Sequence, residues 1–297
     1  MDGTTTAVST PVPRRDDGTP LALICGGGTI PPVVAAAVAA RGRRVVVFAL
    51  RGWADPAFVA DHAHHWIALG QVGRFFRLVE AEGCRDVAFI GTLLRPALRD
   101  IRLDWMTLRL LPRVIGFFRG GDDRLLSGVG ALLEERGLRL VGAHEVAPEI
   151  LMPAGQATRR APSERDRADI ARSIEVLAAM GPLDVGQAVV VADGYVVAVE
   201  AAEGTDAVLE RVAALRTSGR LKTRPGIGVL VKTPKRGQDR RFDLPTIGPR
   251  TIEGVAAAGL AGLAIAAGGA IVAEPGDTVR LADRRNLFML GFDESVP

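Results

Sequence analysis

Cysteine, aromatic residues and any strong excess of charge of one sign are all scarce in this 297-residue chain. The two cysteines, Cys25 and Cys84, lie far apart among apolar neighbours. That argues against a disulfide framework or a Cys-x-x-Cys metal site and fits a reducing compartment. Aromatics make up only 5% of the residues, too few for a base-stacking surface. Thirty-seven Lys and Arg against 34 Asp and Glu leave a formal charge of +3, so the chain is not a polycation and no nucleic-acid partner is expected. His62, His64 and His65 have no carboxylate or cysteine spaced to complete a metal site and read as a solvated loop. No apolar secretory segment opens the chain; residues 1–20, rich in Thr, Pro and charge, read as a disordered leader. The uncharged run 255–273 is long enough to raise the question of a membrane span. It is mostly Ala and Gly, and a helix, a turn at Gly268-Gly269 and a buried strand is the better reading.

What is present is an ordinary globular balance, 48% apolar and 24% charged, long enough for two domains. The first half alternates β-branched runs with amphipathic ones. Leu21–Cys25 runs into Gly26-Gly27-Gly28 and an Ala-rich helix; Val45–Leu50 and 87–90 are further strands, and 66–69 is a weaker one. Val72–Ala81, the run after Asp122-Asp123, and 138–141 continue the alternation, which implies a parallel sheet covered by helices. The proline-rich stretch 148–162 reads as a linker between a domain at 21–147 and one at 163–297. Ser163 and Asp166 make a capping box at the start of the second domain's first helix. Asp193-Gly194 between two β-branched runs predicts a hairpin.

Several segments are candidates for chemistry. The triplet Gly26-Gly27-Gly28 could bring backbone N–H groups to a phosphate, or could be a tight turn with no ligand. It is neither the dinucleotide fingerprint, because Pro31 stands where the third glycine is needed, nor a Walker loop. Arg51 after the second strand also weighs against a nicotinamide-dependent oxidoreductase, which needs an acid there for the ribose. His144 beside Glu145 follows a strand end, where capping and substrate contact both remain open. Glu200-Ala-Ala-Glu203-Gly204-Thr205-Asp206 ends a strand on a helix N-terminus, where α/β proteins place ligands and where Thr205 or Asp206 could equally be a cap. The run 232–243 is the densest: Lys232 and Lys235 as point charges, Arg240 and Arg241 as bidentate forks, Gln238, and Asp239 and Asp243 as hard oxygen ligands for Mg²⁺ or Mn²⁺. Cations for a diphosphate beside carboxylates for a metal suit phosphoanhydride chemistry better than a solvated loop.

With these residues in view, the chain resembles the LpxI-type UDP-2,3-diacylglucosamine pyrophosphatases of lipid A biosynthesis. The resemblance runs through Gly26-Gly27-Gly28, Gly70-Gln-Val-Gly-Arg-Phe-Phe76, Gly120-Gly-Asp-Asp-Arg-Leu-Leu126 and Gly142-Ala-His-Glu-Val146. It continues through Leu183-Asp-Val-Gly-Gln187, Glu200-Ala-Ala-Glu-Gly-Thr-Asp206 and Gln238-Asp-Arg-Arg-Phe-Asp-Leu-Pro-Thr-Ile-Gly248. Arg236 stands where the family usually has proline. The resemblance implies an α/β fold of two domains: a Rossmann-like parallel-sheet domain, then a mixed α/β domain, with the active site between them. It implies hydrolysis of UDP-2,3-diacylglucosamine to 2,3-diacylglucosamine 1-phosphate (lipid X) and UMP, with a divalent metal. The family's essential aspartate matches Asp243, with Asp239 as competitor; Asp206 joins them as an expected metal ligand. Gly27, Gly28, Thr29, Thr205, Lys232, Lys235, Gln238, Arg241 and Thr246 are the expected substrate contacts. An apolar groove for the acyl chains is sought among Leu108, Leu110, Phe117 and Phe118, where ordinary core helix packing is the favoured alternative, with Arg109, Arg113 and Arg119 available to a membrane surface. The expected setting is cytoplasmic, with peripheral contact at the inner membrane; a homodimer is left open, as is a regulatory module that binds a nucleotide without turning it over.

Overall fold

A computed structural model of the chain describes residues 18–93, 102–118, 122–183, 185–234, 239–242 and 244–293. Most of the expected leader therefore lies outside the described residues, as do Lys235, Gln238, Asp243, Arg119 and the side chains of Phe117 and Phe118.

The fold is α/β, with a parallel sheet in the first half and a mixed sheet in the second. In the first half β1 (Leu21–Cys25), β2 (Val45–Leu50), β3 (Ala63–Ile67), β4 (Asp86–Ile90) and β5 (Arg139–Leu140) form a wholly parallel sheet in the order β3-β2-β1-β4-β5. Side chains alternate across it as strand geometry requires: Leu21, Leu23 and Cys25 face one apolar cluster, Ala22 and Ile24 the other. The first cluster is closed by α1 (Ile30–Ala40) through Val34, Ala35 and Val38. The second is closed by Phe75 and Val79 of α3 (Val72–Ala81) and Leu133 of α5 (Asp122–Glu134). Both faces are covered, which is why these strands read as unbroken apolar runs. Between them lie α2 (Pro56–Ala60) and α4 (Trp105–Phe118), the latter packed on α3 and α5.

His64 and His65 do not lie in a loop: they sit in β3, which starts earlier than the expected 66–69. His65 Nε2 meets Glu82 at 2.8 Å, a tertiary contact that a sequence window cannot see.

Beyond the short helix α6 (Ala143–Val146), the stretch read as a linker contains β6 (Gly155–Gln156). This joins a six-stranded sheet, β6-β13-β11-β9-β7-β8, with β7 (Ala188–Ala192), β8 (Tyr195–Val199), β9 (Val229–Lys232), β11 (Gly262–Ala266) and β13 (Phe288–Phe292). β9, β11 and β13 are parallel, and β6, β7 and β8 run antiparallel to their neighbours. Asp193 and Gly194, both at positive φ, make the β7–β8 turn, the conformation a two-residue hairpin requires. α7 (Glu164–Met180), capped by Ser163 with Asp166, covers one face. α8 (Gly204–Thr217), α9 (Pro249–Ala257) and α10 (Pro275–Arg284) cover the other. A two-stranded ladder, β10 (Thr246–Ile247) with β12 (Ile271–Val272), sits apart from both sheets. The run 255–273 thus ends one helix, forms β11, turns and forms β12. No helix among the described residues is long and apolar enough to cross a membrane.

Candidate functional site

The C-terminal ends of β1 and β4 open onto a cleft of about 330 Å³, where α/β sheets place ligands. Gly27, Gly28 and Thr29 form one wall with Gly91, Thr92 and Ala143, and Arg240, Arg241, Phe242, Leu244 and Thr246 arrive from the second half to form the other. Leu244 and Thr246 also border a second cleft of about 560 Å³, lined by Gly186, Gln187, Glu200 and Lys232. The two spaces share the segment 244–246 as their partition.

The glycine triplet is first of all a packing device. A Cβ on Gly26 would stand 2.6 Å from the Thr92 carbonyl oxygen, and Gly28 has φ of +96°. The Gly27 N–H is spent on the Thr92 carbonyl at 2.9 Å, and Thr92 N–H returns to Gly27 at 2.8 Å. Pro31 and Pro32 near the start of α1 remove two N–H groups that a helix N-terminus otherwise offers to an anion. Gly28, Thr29 and Ile30 keep theirs, and the Thr29 hydroxyl makes no capping bond.

In the second cleft a buried polar chain crosses three elements. Lys232, at the end of β9 and 6% exposed, donates from Nζ to Thr205 Oγ1 at 2.6 Å. Thr205 Oγ1 donates to Glu200 Oε1 at 2.7 Å, and the Gln187 N–H donates to Glu200 Oε2 at 2.9 Å. Glu200 is 8% exposed. A hydroxyl thus bridges two buried side chains of opposite formal charge. The sequence placed Glu200 on a strand end beside a helix start but did not single it out; its signal was that position, and it reaches Lys232 only through the Thr205 hydroxyl.

Asp239 and Arg241 lock onto each other. Arg241 Nε reaches the two carboxylate oxygens at 2.9 and 3.1 Å, Nη2 reaches Oδ2 at 2.7 Å, and the Arg241 backbone N–H donates to Oδ1 at 3.0 Å. The hydrogen bonds from Arg241 outweigh partial burial and hold the Asp239 carboxyl below its ordinary range, with a smaller contribution from His144. Arg241 Nη1 extends to Glu134 on α5 at 3.1 Å. His144 lies against Gly142, and its Nδ1 is buried with no hydrogen-bond partner among the described residues. Asp206, in the first turn of α8, pairs with Arg250 at 2.8 Å.

Of the expected contacts, Gly27, Gly28, Thr29, Arg241 and Thr246 thus border the first cleft, and Lys232 and Thr246 the second, where Thr205 reaches Lys232 from the helix behind. Asp243, Lys235 and Gln238 are outside the described residues. Leu108 is exposed and Leu110 half-buried on α4, where Trp105 is 70% exposed under the Arg109 guanidinium.

Two α/β lobes sharing a polar cleft at the ends of the parallel strands define the class of this molecule: a two-lobed α/β protein whose candidate site is built by both halves. Residues 20–150 match the family model described as the LpxI N-terminal domain, and residues 153–290 match the LpxI C-terminal domain. The chain belongs to the LpxI family. A relative from Caulobacter vibrioides, named UDP-2,3-diacylglucosamine pyrophosphatase LpxI, is 41% identical over 273 residues, covering 92% of this chain and 97% of that protein.

Proposed function

We propose that the chain cleaves the pyrophosphate bond of UDP-2,3-diacylglucosamine, releasing 2,3-diacylglucosamine 1-phosphate (lipid X) and UMP by attack of water at the α-phosphorus. The observation that carries this is the near full-length similarity to a protein of that name. The clefts supply what such a step needs. The Lys232 ammonium, oriented by Thr205 and Glu200, offsets charge that builds on the diphosphate. Arg241 borders the first cleft with its charge shared between Asp239 and Glu134. Thr29 and Thr246 offer hydroxyls to phosphate or sugar. Asp243 orients the attacking water.

A divalent cation, Mg²⁺ or Mn²⁺, belongs to the same proposal; when bound, such an ion polarises phosphoryl oxygen and acidifies water. Among the described residues no group of three His, Cys, Asp or Glu side chains is placed to hold one. Asp239 is clasped by Arg241 and Asp206 by Arg250, so these two carboxylates do not by themselves make the site. Asp243 is the carboxylate proposed to hold the metal. Two acyl chains on the substrate lead us to place the chain in the cytoplasm, in peripheral contact with the inner membrane; a homodimer would show in sedimentation.

The test is release of UMP from UDP-2,3-diacylglucosamine with Mg²⁺. Asp243→Ala is expected to abolish turnover at an unchanged unfolding midpoint, and EDTA to abolish it reversibly. Near wild-type turnover in the variant would remove Asp243 from its role. Insensitivity to EDTA would remove the metal. Uridine nucleotide binding without any UMP release would make the chain a binding module.

A further inference from the structure

Leu93, Leu103, Trp105 and Leu108 are four of the six large hydrophobic side chains exposed among the described residues. Three of them gather at the start of α4, where Trp105 is 70% exposed. Along α4 the exposed positions are Trp105, Leu108, Arg109, Pro112 and Arg113. That spacing of three and four puts them on one face of the helix, while the other face packs on α3 and α5. Exposed Leu103 and Arg102 lead into the same stripe. No exposed carboxylate interrupts it between 102 and 113. Asp104, the acid of this stretch, is half-buried, and its carboxylate accepts the Thr107 N–H at 2.9 Å and the Arg74 N–H at 3.0 Å. Arg113 is paired with Glu135 at 2.7 Å, so Arg102 and Arg109 supply the net positive charge. The Arg109 guanidinium lies 5.5 Å from the centre of the Trp105 ring.

Backbone bonds fix where this stripe sits. Arg102 N–H donates to the Leu69 carbonyl at 2.9 Å, and Asp104 N–H to the Gly70 carbonyl at 3.1 Å. Leu69 and Gly70 follow the C-terminal end of β3, and the first cleft opens at the same end of the sheet. Leu93, 47% exposed, follows Thr92 of the cleft wall at that end too.

We propose that Leu103, Trp105 and Leu108, flanked by Arg102 and Arg109, form a docking face for an anionic lipid bilayer, which holds the cleft end of the first lobe toward the membrane. A tryptophan beside arginines and leucines, with no opposing acid, matches an interface where rings and acyl stems bury while cations meet lipid phosphates. The proposal rests on the reading of the substrate as a two-chain lipid, since such a molecule is collected from a bilayer.

The intact protein is mixed with vesicles of phosphatidylethanolamine and phosphatidylglycerol, or of phosphatidylcholine, and co-sedimentation and tryptophan emission are read. The wild type is expected to bind the anionic vesicles with a blue shift of its emission and to leave phosphatidylcholine unbound. Arg102→Gln with Arg109→Gln lowers the affinity on the order of twentyfold, at about fivefold per arginine. Trp105→Ala lowers it about tenfold without moving the unfolding temperature, because the ring is exposed in the free protein. Trp105→Phe keeps most of the binding and loses the blue shift. With UDP-2,3-diacylglucosamine carried in anionic vesicles, kcat/KM for UMP release falls in step with affinity in these variants. With the same substrate dispersed in neutral detergent it matches the wild type. A wild type that leaves anionic vesicles unbound, or variants that bind and turn over as it does, overturns the docking face. So does a wild-type dimer that Trp105→Ala converts to a monomer while neither binds vesicles, which makes the face a contact between two copies. Absence of UMP release by the wild type even from detergent is a failure of the proposed reaction instead, and the vesicle measurements stand apart from it.

Discussion

Replacing Thr205 by Val removes one hydroxyl and keeps the β-branched shape near the start of α8. The hydroxyl serves two buried charged partners: it accepts from Lys232 at 2.6 Å and donates to Glu200 at 2.7 Å. Hydrogen bonds to charged groups contribute about 1.5–3 kcal/mol each. The second cleft opens beside this chain and lets water take over part of the role, so the lower end applies and the two together come to about 3 kcal/mol. Urea denaturation should show that loss as a lowered midpoint at constant slope, with Thr205→Ser close to the wild type. The same substitution removes one of the bonds that orient the Lys232 ammonium, and kcat/KM for UMP release should fall by about tenfold, or about 1.4 kcal/mol of transition-state stabilisation. A Thr205→Val protein unfolding at the wild-type urea midpoint refutes the energetic role of the bridge. A destabilised Thr205→Val protein with unchanged kcat/KM refutes the link from Thr205 through Lys232 to the reaction.

Asp86, 5% exposed at the start of β4, accepts from Arg43 at 2.7 Å and from Arg139 at 2.7 and 2.8 Å. Burial pushes its carboxyl up, but the hydrogen bonds and charges of Arg139 and Arg43 together outweigh that and hold it below the ordinary 3.8. A depressed carboxylate stabilises the fold above its unfolded value and loses that contribution as pH falls through the lower folded one. Asp86→Asn should therefore cost about 3 kcal/mol near neutral pH, a gap that closes below pH 3.8 in denaturation curves; a gap constant down to acid excludes this origin. Burial above all pushes the Cys25 and Cys84 thiols up to about 11, with Asp55 and Glu82 adding to it respectively. Both should react slowly with a thiol reagent in the native protein and fully in denaturant; rapid native labelling of either contradicts the packing.

The strands of the parallel sheet were legible because they are buried on both faces and carry unbroken β-branched runs. The Asp193-Gly194 turn was equally plain, since few residue pairs tolerate positive φ twice in succession. β3 was harder. It has one neighbour, β2, and its exposed Ala63 and His64 replace the apolar run that marks a strand. β6 spans two residues and exists only by pairing with β13, more than a hundred positions away, so a local reading sees proline-rich linker. The charged run 232–243 raised the expectation of phosphate chemistry because such density seldom serves a core. What it could not announce is which charges are already engaged: Asp239 looks like a metal ligand in the sequence and is clasped by Arg241 in the structure. Glu200 escaped for the same reason: what engages it, the Thr205 hydroxyl and through it Lys232, is set by the fold.

The placement of Leu244 and Ile271 inside the cluster built on Leu21, Leu23 and Val34 bears on how the chain is made. During synthesis the first lobe emerges with that part of its core bare, and the cover is encoded about a hundred residues later, beyond α7 and the β7–β8 hairpin. The ribosome-bound first lobe therefore leaves an apolar end of its core uncovered until the second lobe arrives. A cut between the lobes would not yield two self-sufficient pieces, and a gene split there would have to supply both products together.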